Sequence, residues 1–178
     1  VYGGGSWGTA LGHVLASAGH ETTLLLRDEE VARAVNERHE NPRYLAGLPL
    51  APSLRAVTDT AILKDSDVWV LAVPCQSQRN VLESVRELAR PETVIVNAAK
   101  GIELNSLKPL SVVSAEALHE TERDMRRRYA MLSGPSFARE VIENKPSAVV
   151  LGCADEELGA RLRAMFATPF FRCYSSPD

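Results

Sequence analysis

Two hydrophobic patterns alternate along the chain. Short apolar, β-branched runs at residues 22–26, 68–73, 93–97, 129–132, 147–151 and 170–174 predict strands, with a briefer one at 55–57. Between them apolar residues recur every three to four positions, as in Ala10, Leu11, Val14, Leu15 and Ala18. That spacing predicts helices over 10–18, 29–37, 76–88, 107–118, 136–143 and 156–167. Gly19 is expected to close the first helix, and Thr58 to cap a further one reaching residue 64. The run Val68-Trp69-Val70-Leu71-Ala72-Val73 shows no polar alternation, which predicts a central strand buried on both faces. Val1-Tyr2 reads as the tail of another buried strand whose start has been cut off. Strands alternating with helices argue an α/β fold with a doubly wound, mainly parallel sheet. Residues 1–174 are expected to form this domain, and Ser175-Ser176-Pro177-Asp178 to begin a linker.

The glycine turn between the first strand and the first helix adds chemistry. In Gly3-Gly4-Gly5-Ser6-Trp7-Gly8, residues Gly3, Gly5 and Gly8 match G-x-G-x-x-G in the strand–turn–helix context of a dinucleotide fingerprint. Gly3 lets the chain turn sharply, Gly5 leaves no Cβ between backbone and pyrophosphate, and Gly8 lets the helix sit close on the strand. The helix N-terminus then offers N–H groups and partial positive charge to phosphates. The fold expected is Rossmann-like. A glycine turn without a ligand is the alternative reading of these residues alone.

Composition removes several function classes. The 178 residues carry a net charge of −3, and the densest basic stretch, 123–128, is broken by Asp124 and Met125. A solvated helix face explains that stretch better than nucleic acid does, so 120–128 is expected to lie outside the fold. No apolar run approaches the ~18 residues of a membrane span, and no signal peptide is visible. Cys75, Cys153 and Cys173 are odd in number and far apart, which fits a reducing cytoplasm rather than a disulfide framework. His13, His20, His39 and His119 show no metal spacing.

In a parallel sheet, ligands bind beyond the carboxyl ends of the strands. Four segments should meet there. Arg27-Asp28 follows the second strand about twenty residues past the glycine turn, where an adenosine ribose should lie. An acidic residue there binds the ribose hydroxyls of NAD, and an arginine favours the 2′-phosphate of NADP. Both types are present; Arg27 stands first, which favours NADPH. Pro74 and Cys75 end the central strand at the crevice lip, where Cys75 reads as a passive thiol because no histidine is nearby in sequence. Lys100 follows the next strand; it is one of four lysines among 20 basic residues, so lysine is not this chain's default cation. An ammonium there can hold a phosphate or polarise a carbonyl. Gly134 and Ser136 follow the strand at 129–132, with Ser136 expected either to cap a helix or to touch a ligand.

Taken together, these words resemble the nucleotide-binding domain of bacterial NAD(P)-dependent glycerol-3-phosphate dehydrogenase. The resemblance covers essentially the whole chain. It rests on Gly3-x-Gly5-Ser6-Trp7-Gly8-Thr9-Ala10-Leu11, Asn41-Pro42-Arg43-Tyr44-Leu45, Val73-Pro74, Lys100-Gly101-Ile102-Glu103 and Ser133-Gly134-Pro135-Ser136-Phe137-Ala138. It implies reduction of dihydroxyacetone phosphate to sn-glycerol 3-phosphate for phospholipid synthesis, with NADP(H) or NAD(H) as cofactor. By motif position Ser6, Trp7, Arg27 and Ala138 become cofactor contacts, with Gly3, Gly5, Gly8 and Pro74 around them. Lys100 is shared between cofactor and substrate, and Gly134 and Ser136 touch substrate. Tyr44 is a further cofactor contact on a loop expected to be mobile. The resemblance also implies a helical C-terminal domain, absent from this chain, carrying the acid/base lysine and any homodimer contacts. Two rivals stay open: a related two-domain dehydrogenase acting on another hydroxy or keto acid, and a non-catalytic NAD(P)-binding module.

Overall fold

The computed structural model describes residues 1–177. Its strands are β1 (Thr23–Leu25), β2 (Arg55–Val57), β3 (Val68–Leu71), β4 (Val94–Asn97), β5 (Tyr129–Ser133), β6 (Ser147–Gly152) and β7 (Phe171–Ser176). Its helices are α1 (Ser6–Ser17), α2 (Glu29–Arg38), α3 (Gln78–Val85), α4 (Leu110–Ala117), α5 (Glu122–Arg126), α6 (Ala138–Ile142) and α7 (Glu156–Phe166). Tyr2 bridges Leu25 and Leu71 in parallel, so Val1–Tyr2 is the hinge of the sheet. Its backbone reaches both neighbours: the Tyr2 N–H donates to the Val70 carbonyl at 2.8 Å and the Gly3 N–H to that of Leu25 at 2.9 Å. The sheet therefore runs β2, β1, Tyr2, β3, β4, β5, β6, β7, and the strand order reverses at Tyr2.

Two apolar layers hold helices on both faces. One joins Leu11, Leu15, Val35, Val96 and Phe166; the other joins Trp69, Leu82, Ile95, Leu118 and Met125. All four residues of β4 are buried, the apolar Val94, Ile95 and Val96 as a central parallel strand requires and Asn97 with them. Trp69 is buried with its indole N–H donating to the Leu63 carbonyl at 3.1 Å. At the end of α1, Gly19 has φ +90°. The Gly19 and His20 N–H groups donate back to Ala16 and Leu15, the left-handed closure expected of a glycine there.

Several expectations change. β5 and β6 are antiparallel, because the connection between them holds only the five-residue α6 and folds back, whereas α7 returns the chain parallel from β6 to β7. Asp59, not Thr58, caps the turn after β2, accepting from the Ala61 N–H at 2.8 Å, and that turn is a 3-10 helix. The helix expected over 76–88 is α3 flanked by 3-10 turns. The next helix starts only at Leu110, since Leu107 has φ +57° and Pro109 has no N–H to give an earlier turn. The charged stretch 120–128 is not wholly outside: α5 buries Met125, and the buried Arg128 donates to the Thr93 carbonyl and the Glu120 carboxylate. β7 runs to Ser176, into the stretch expected as a linker; Asp178, the last residue of that expectation, lies outside the described residues.

Candidate functional site

The carboxyl ends of Tyr2, β1, β3, β4 and β5 bring together the glycine turn, Arg27, Pro74, Lys100 and Gly134. The glycine turn is built for close approach. Gly3 has φ +124°, and a Cβ there would lie 2.5 Å from the Ala72 carbonyl oxygen. A Cβ on Gly8 would lie 1.9 Å from the Gly3 carbonyl oxygen, so any side chain would push α1 off the strand. Gly5 is different: nothing lies within 4 Å of where its Cβ would be. It is also the N-cap of α1, without a side-chain cap, which leaves the first N–H groups of a twelve-residue helix for a ligand. Ser6 is exposed there, and Trp7 and Ala138 are each partly buried against the same apolar layer.

A clamp that periodicity does not reveal fixes the neighbouring loop. Asn41 is fully buried. Its amide N–H₂ donates to the Gly4 carbonyl at 3.1 Å and the Thr9 hydroxyl at 2.8 Å, and its carbonyl accepts from the Tyr44 N–H at 3.2 Å. The loop expected to be mobile is thus tied to the glycine turn, and Tyr44 stands exposed upon it. The sequence signal was the word Asn41-Pro42-Arg43-Tyr44-Leu45, which marks a loop but not the partners of Asn41.

The ribose end holds Arg27 and Asp28. Asp28 caps α2, its Oδ1 accepting from the Glu30 and Val31 N–H groups at 3.0 and 3.2 Å, while Oδ2 accepts from Arg43 at 2.9 Å. The Val31 N–H and these other donors hold its carboxyl below the ordinary value. Arg27 is exposed and makes no hydrogen bond or ion pair among the described residues.

At the other end, the exposed Lys100 ammonium donates to the Gly134 carbonyl at 3.1 Å, joining the ends of β4 and β5. Gly134 admits no side chain, since a Cβ would lie 2.9 Å from the Ala148 carbonyl oxygen. Ser136 does not cap α6, whose N-cap is Phe137 without a side-chain bond; its hydroxyl donates to the Ala148 carbonyl at 3.2 Å instead. Beneath Lys100 lies a buried polar network missed in the sequence. Asn97 donates to Gln78 at 2.8 Å and to the Tyr129 hydroxyl at 3.0 Å, and its carbonyl accepts from the Ala99 N–H at 2.8 Å. Gln78 in turn donates to Ser114 at 3.0 Å. Burial pushes the Tyr129 phenol well above its usual range. The only signal was one asparagine ending an apolar run.

Charged tethers hold the segment after Lys100. Arg79 pairs with Glu103 through two 2.8 Å bonds and with Glu116 at 2.8 Å. Gln76 donates to the Ile102 carbonyl at 2.9 Å and accepts from the Leu104 N–H at 3.0 Å. The Arg79 bonds, then the Ser106 hydroxyl, pull the Glu103 carboxyl down to about 2. Cys75 donates its thiol to the Ile102 carbonyl at 3.2 Å, and burial followed by the Glu103 charge raises its pKa, so the thiol is a packing group. His13 accepts from the Ala51 N–H at 3.0 Å, a structural role.

Parallel strands reversing order at a glycine turn, with an open helix N-terminus in the crevice, define a Rossmann-type nucleotide-binding fold. A sequence profile of the NAD-dependent glycerol-3-phosphate dehydrogenase N-terminus matches residues 1–159. The chain belongs to that family. It is 53% identical over 178 residues to the glycerol-3-phosphate dehydrogenase [NAD(P)+] of Desulfovibrio desulfuricans, covering all of this chain and 52% of the relative. The enzyme of the same name from Thermobifida fusca is 43% identical over 180 residues, again with all of this chain and 52% of the relative covered. The crystal structure of glycerol-3-phosphate dehydrogenase from Coxiella burnetii superposes with a TM-score of 0.88 at 29% identity, over 99% of this chain and 53% of that one. The chain thus spans about half the length of the curated relatives it matches.

Proposed function

We propose that this domain binds NAD(P)H along the crevice and, with a second domain, reduces dihydroxyacetone phosphate to sn-glycerol 3-phosphate in the cytoplasm. What supports the reading most is the Lys100–Gly134 contact beside the glycine turn. It puts an exposed ammonium and a close-approach backbone at one point of the crevice. The residues fit the cofactor. Gly5 leaves room for a pyrophosphate, and the α1 N-terminus, with Ser6 and Trp7, offers N–H groups and positive potential to it. Arg27 supplies a free guanidinium for a 2′-phosphate, which favours NADPH. Tyr44, Pro74 and Ala138 line the path from adenosine to the reacting end.

Bound NAD(P)H supplies a hydride, and the domain supplies position and charge. Lys100 has N–H donors beyond the one given to Gly134, and directs positive charge at the oxygen that becomes an alkoxide. Gly134 and Ser136 shape the substrate end. Proton donation to that oxygen is assigned to a lysine of the second domain, which also carries any homodimer contact. No helix of the described residues is long and apolar enough to cross a membrane.

The test is initial-rate assay of the intact protein with dihydroxyacetone phosphate and each reduced cofactor. Oxidation of either is the expected result, faster with NADPH. Binding of both without oxidation of either would instead point to a sister dehydrogenase with another keto substrate.

A further inference from the structure

The adenosine end of the crevice holds a second guanidinium that the mechanism above does not use. Arg43 lies on the Asn41 loop, and that loop is fixed to the glycine turn by Asn41 rather than left free. Its Nη1 donates to Asp28 Oδ2 at 2.9 Å with the Arg43 side chain 61% exposed. The guanidinium carbon is 5.8 Å from the centroid of the Tyr44 ring. Asp28 therefore has no unpaired oxygen: one caps α2 and the other is held by Arg43. A free carboxylate at this place accepts from a ribose diol and repels a 2′-phosphate; a paired one does neither well.

We propose that Arg43 determines cofactor specificity: by occupying Asp28 it withdraws the acceptor that NAD(H) would use, and with Arg27 it forms a two-guanidinium site for the 2′-phosphate of NADP(H). The inference rests on the reading of the crevice as an NAD(P)H site. Two arginines against one carboxylate leave a net positive charge beside the ribose. A dianionic phosphate gains from that charge and a neutral hydroxyl does not.

Titration of the intact protein with NADPH, NADH and adenosine 2′,5′-bisphosphate tests it. Arg43→Ala should weaken NADPH and the bisphosphate by roughly tenfold or more while NADH stays within about twofold or binds tighter, since Asp28 is released. Asp28→Asn keeps a good N-cap and removes the repelling charge, so adding it to Arg43→Ala should recover part of the NADPH loss. That recovery is a result a merely structural Arg43 would not give. Arg43→Gln, similar in length and uncharged, should repeat the Arg43→Ala pattern and guards against a folding defect. Equal losses for both dinucleotides, no change in either, or no recovery in the double variant would overturn the proposal. The failures separate cleanly. If the wild-type protein binds neither dinucleotide, the cofactor reading itself falls; if only Arg27→Ala moves the NADPH to NADH ratio, that reading stands and Arg43 has no part in it.

Discussion

The two ends of the crevice are built by different means. The glycine turn and the loop docked on it are held mainly by backbone geometry and uncharged groups: Gly3 and Gly8 packed against carbonyls, and the buried Asn41 amide on Gly4 and Thr9, with the exposed Arg43–Asp28 pair added on the loop. The Lys100 end is held by side chains, with Asn97 and Gln78 below and the partly buried Arg79–Glu103–Glu116 pairs beside. At Gly3 and Gly8 the turn has no spare volume, so there it can only be right or broken. The second end is adjustable, and its charged tethers respond to pH and salt. A rigid seat for the constant part of a dinucleotide, and a tunable seat for the reacting part, suit the division of labour proposed for the crevice.

That contrast can be broken at either end. The largest effect is expected from Gly8→Ala. Its Cβ would fall 1.9 Å from a backbone oxygen that has no rotamer to change, so cofactor binding should be lost and the melting temperature should drop sharply. Retention of wild-type affinity would show that the turn is slack. Next is Lys100→Ala in the intact protein, which should cut kcat/KM by roughly a hundredfold or more. A value within about threefold of wild type would remove Lys100 from the chemistry.

Asn41→Ala comes third. It removes the amide donor from the Gly4 carbonyl and from the buried Thr9 hydroxyl, leaving these two only their long 3.5 Å bond to each other, and should cost about 1–3 kcal/mol, read by denaturant unfolding. It should also weaken dinucleotide binding, because the Tyr44 loop loses its anchor. The smallest effect belongs to the charged tether. Glu103 sits at about 2 against an ordinary 4.5, so its ion pairs stabilise fully above the ordinary value. Stabilisation is lost as pH falls from 4.5 towards 2. Glu103→Gln should therefore melt below wild type at neutral pH, with the gap closing on acidification. A gap independent of pH would mean the pair contributes through packing alone.

Much of the fold and part of the site were legible before any coordinates. The buried run at β3 and β4, the glycine turn and the α1 pattern each carry their meaning locally, because period and residue type dictate strand, turn and helix. The position of Lys100 and Gly134 at the sheet edge follows from a rule about strand ends. What was missed depends on partners distant in sequence. Asn41 looks like any loop asparagine until Thr9 is beside it, 32 positions away. Arg128 reads as a surface charge until Thr93 and Glu120 surround it. The direction of β6 turns on how a short helix folds back, which composition does not encode.

By itself, then, the sequence determined which segments are strands and helices, that the sheet is mainly parallel, and that a strand–glycine–helix unit meets Arg27, Lys100 and Gly134 at one edge. Those are consequences of period, side-chain volume and backbone freedom, each local to a few residues. Only the tertiary structure decided that Asp28 is already paired, that Arg43 stands beside it, and that Lys100 reaches the Gly134 carbonyl. Charge and hydrogen-bond complementarity are properties of pairs in space, and here the pairs are 15 and 34 residues apart along the chain.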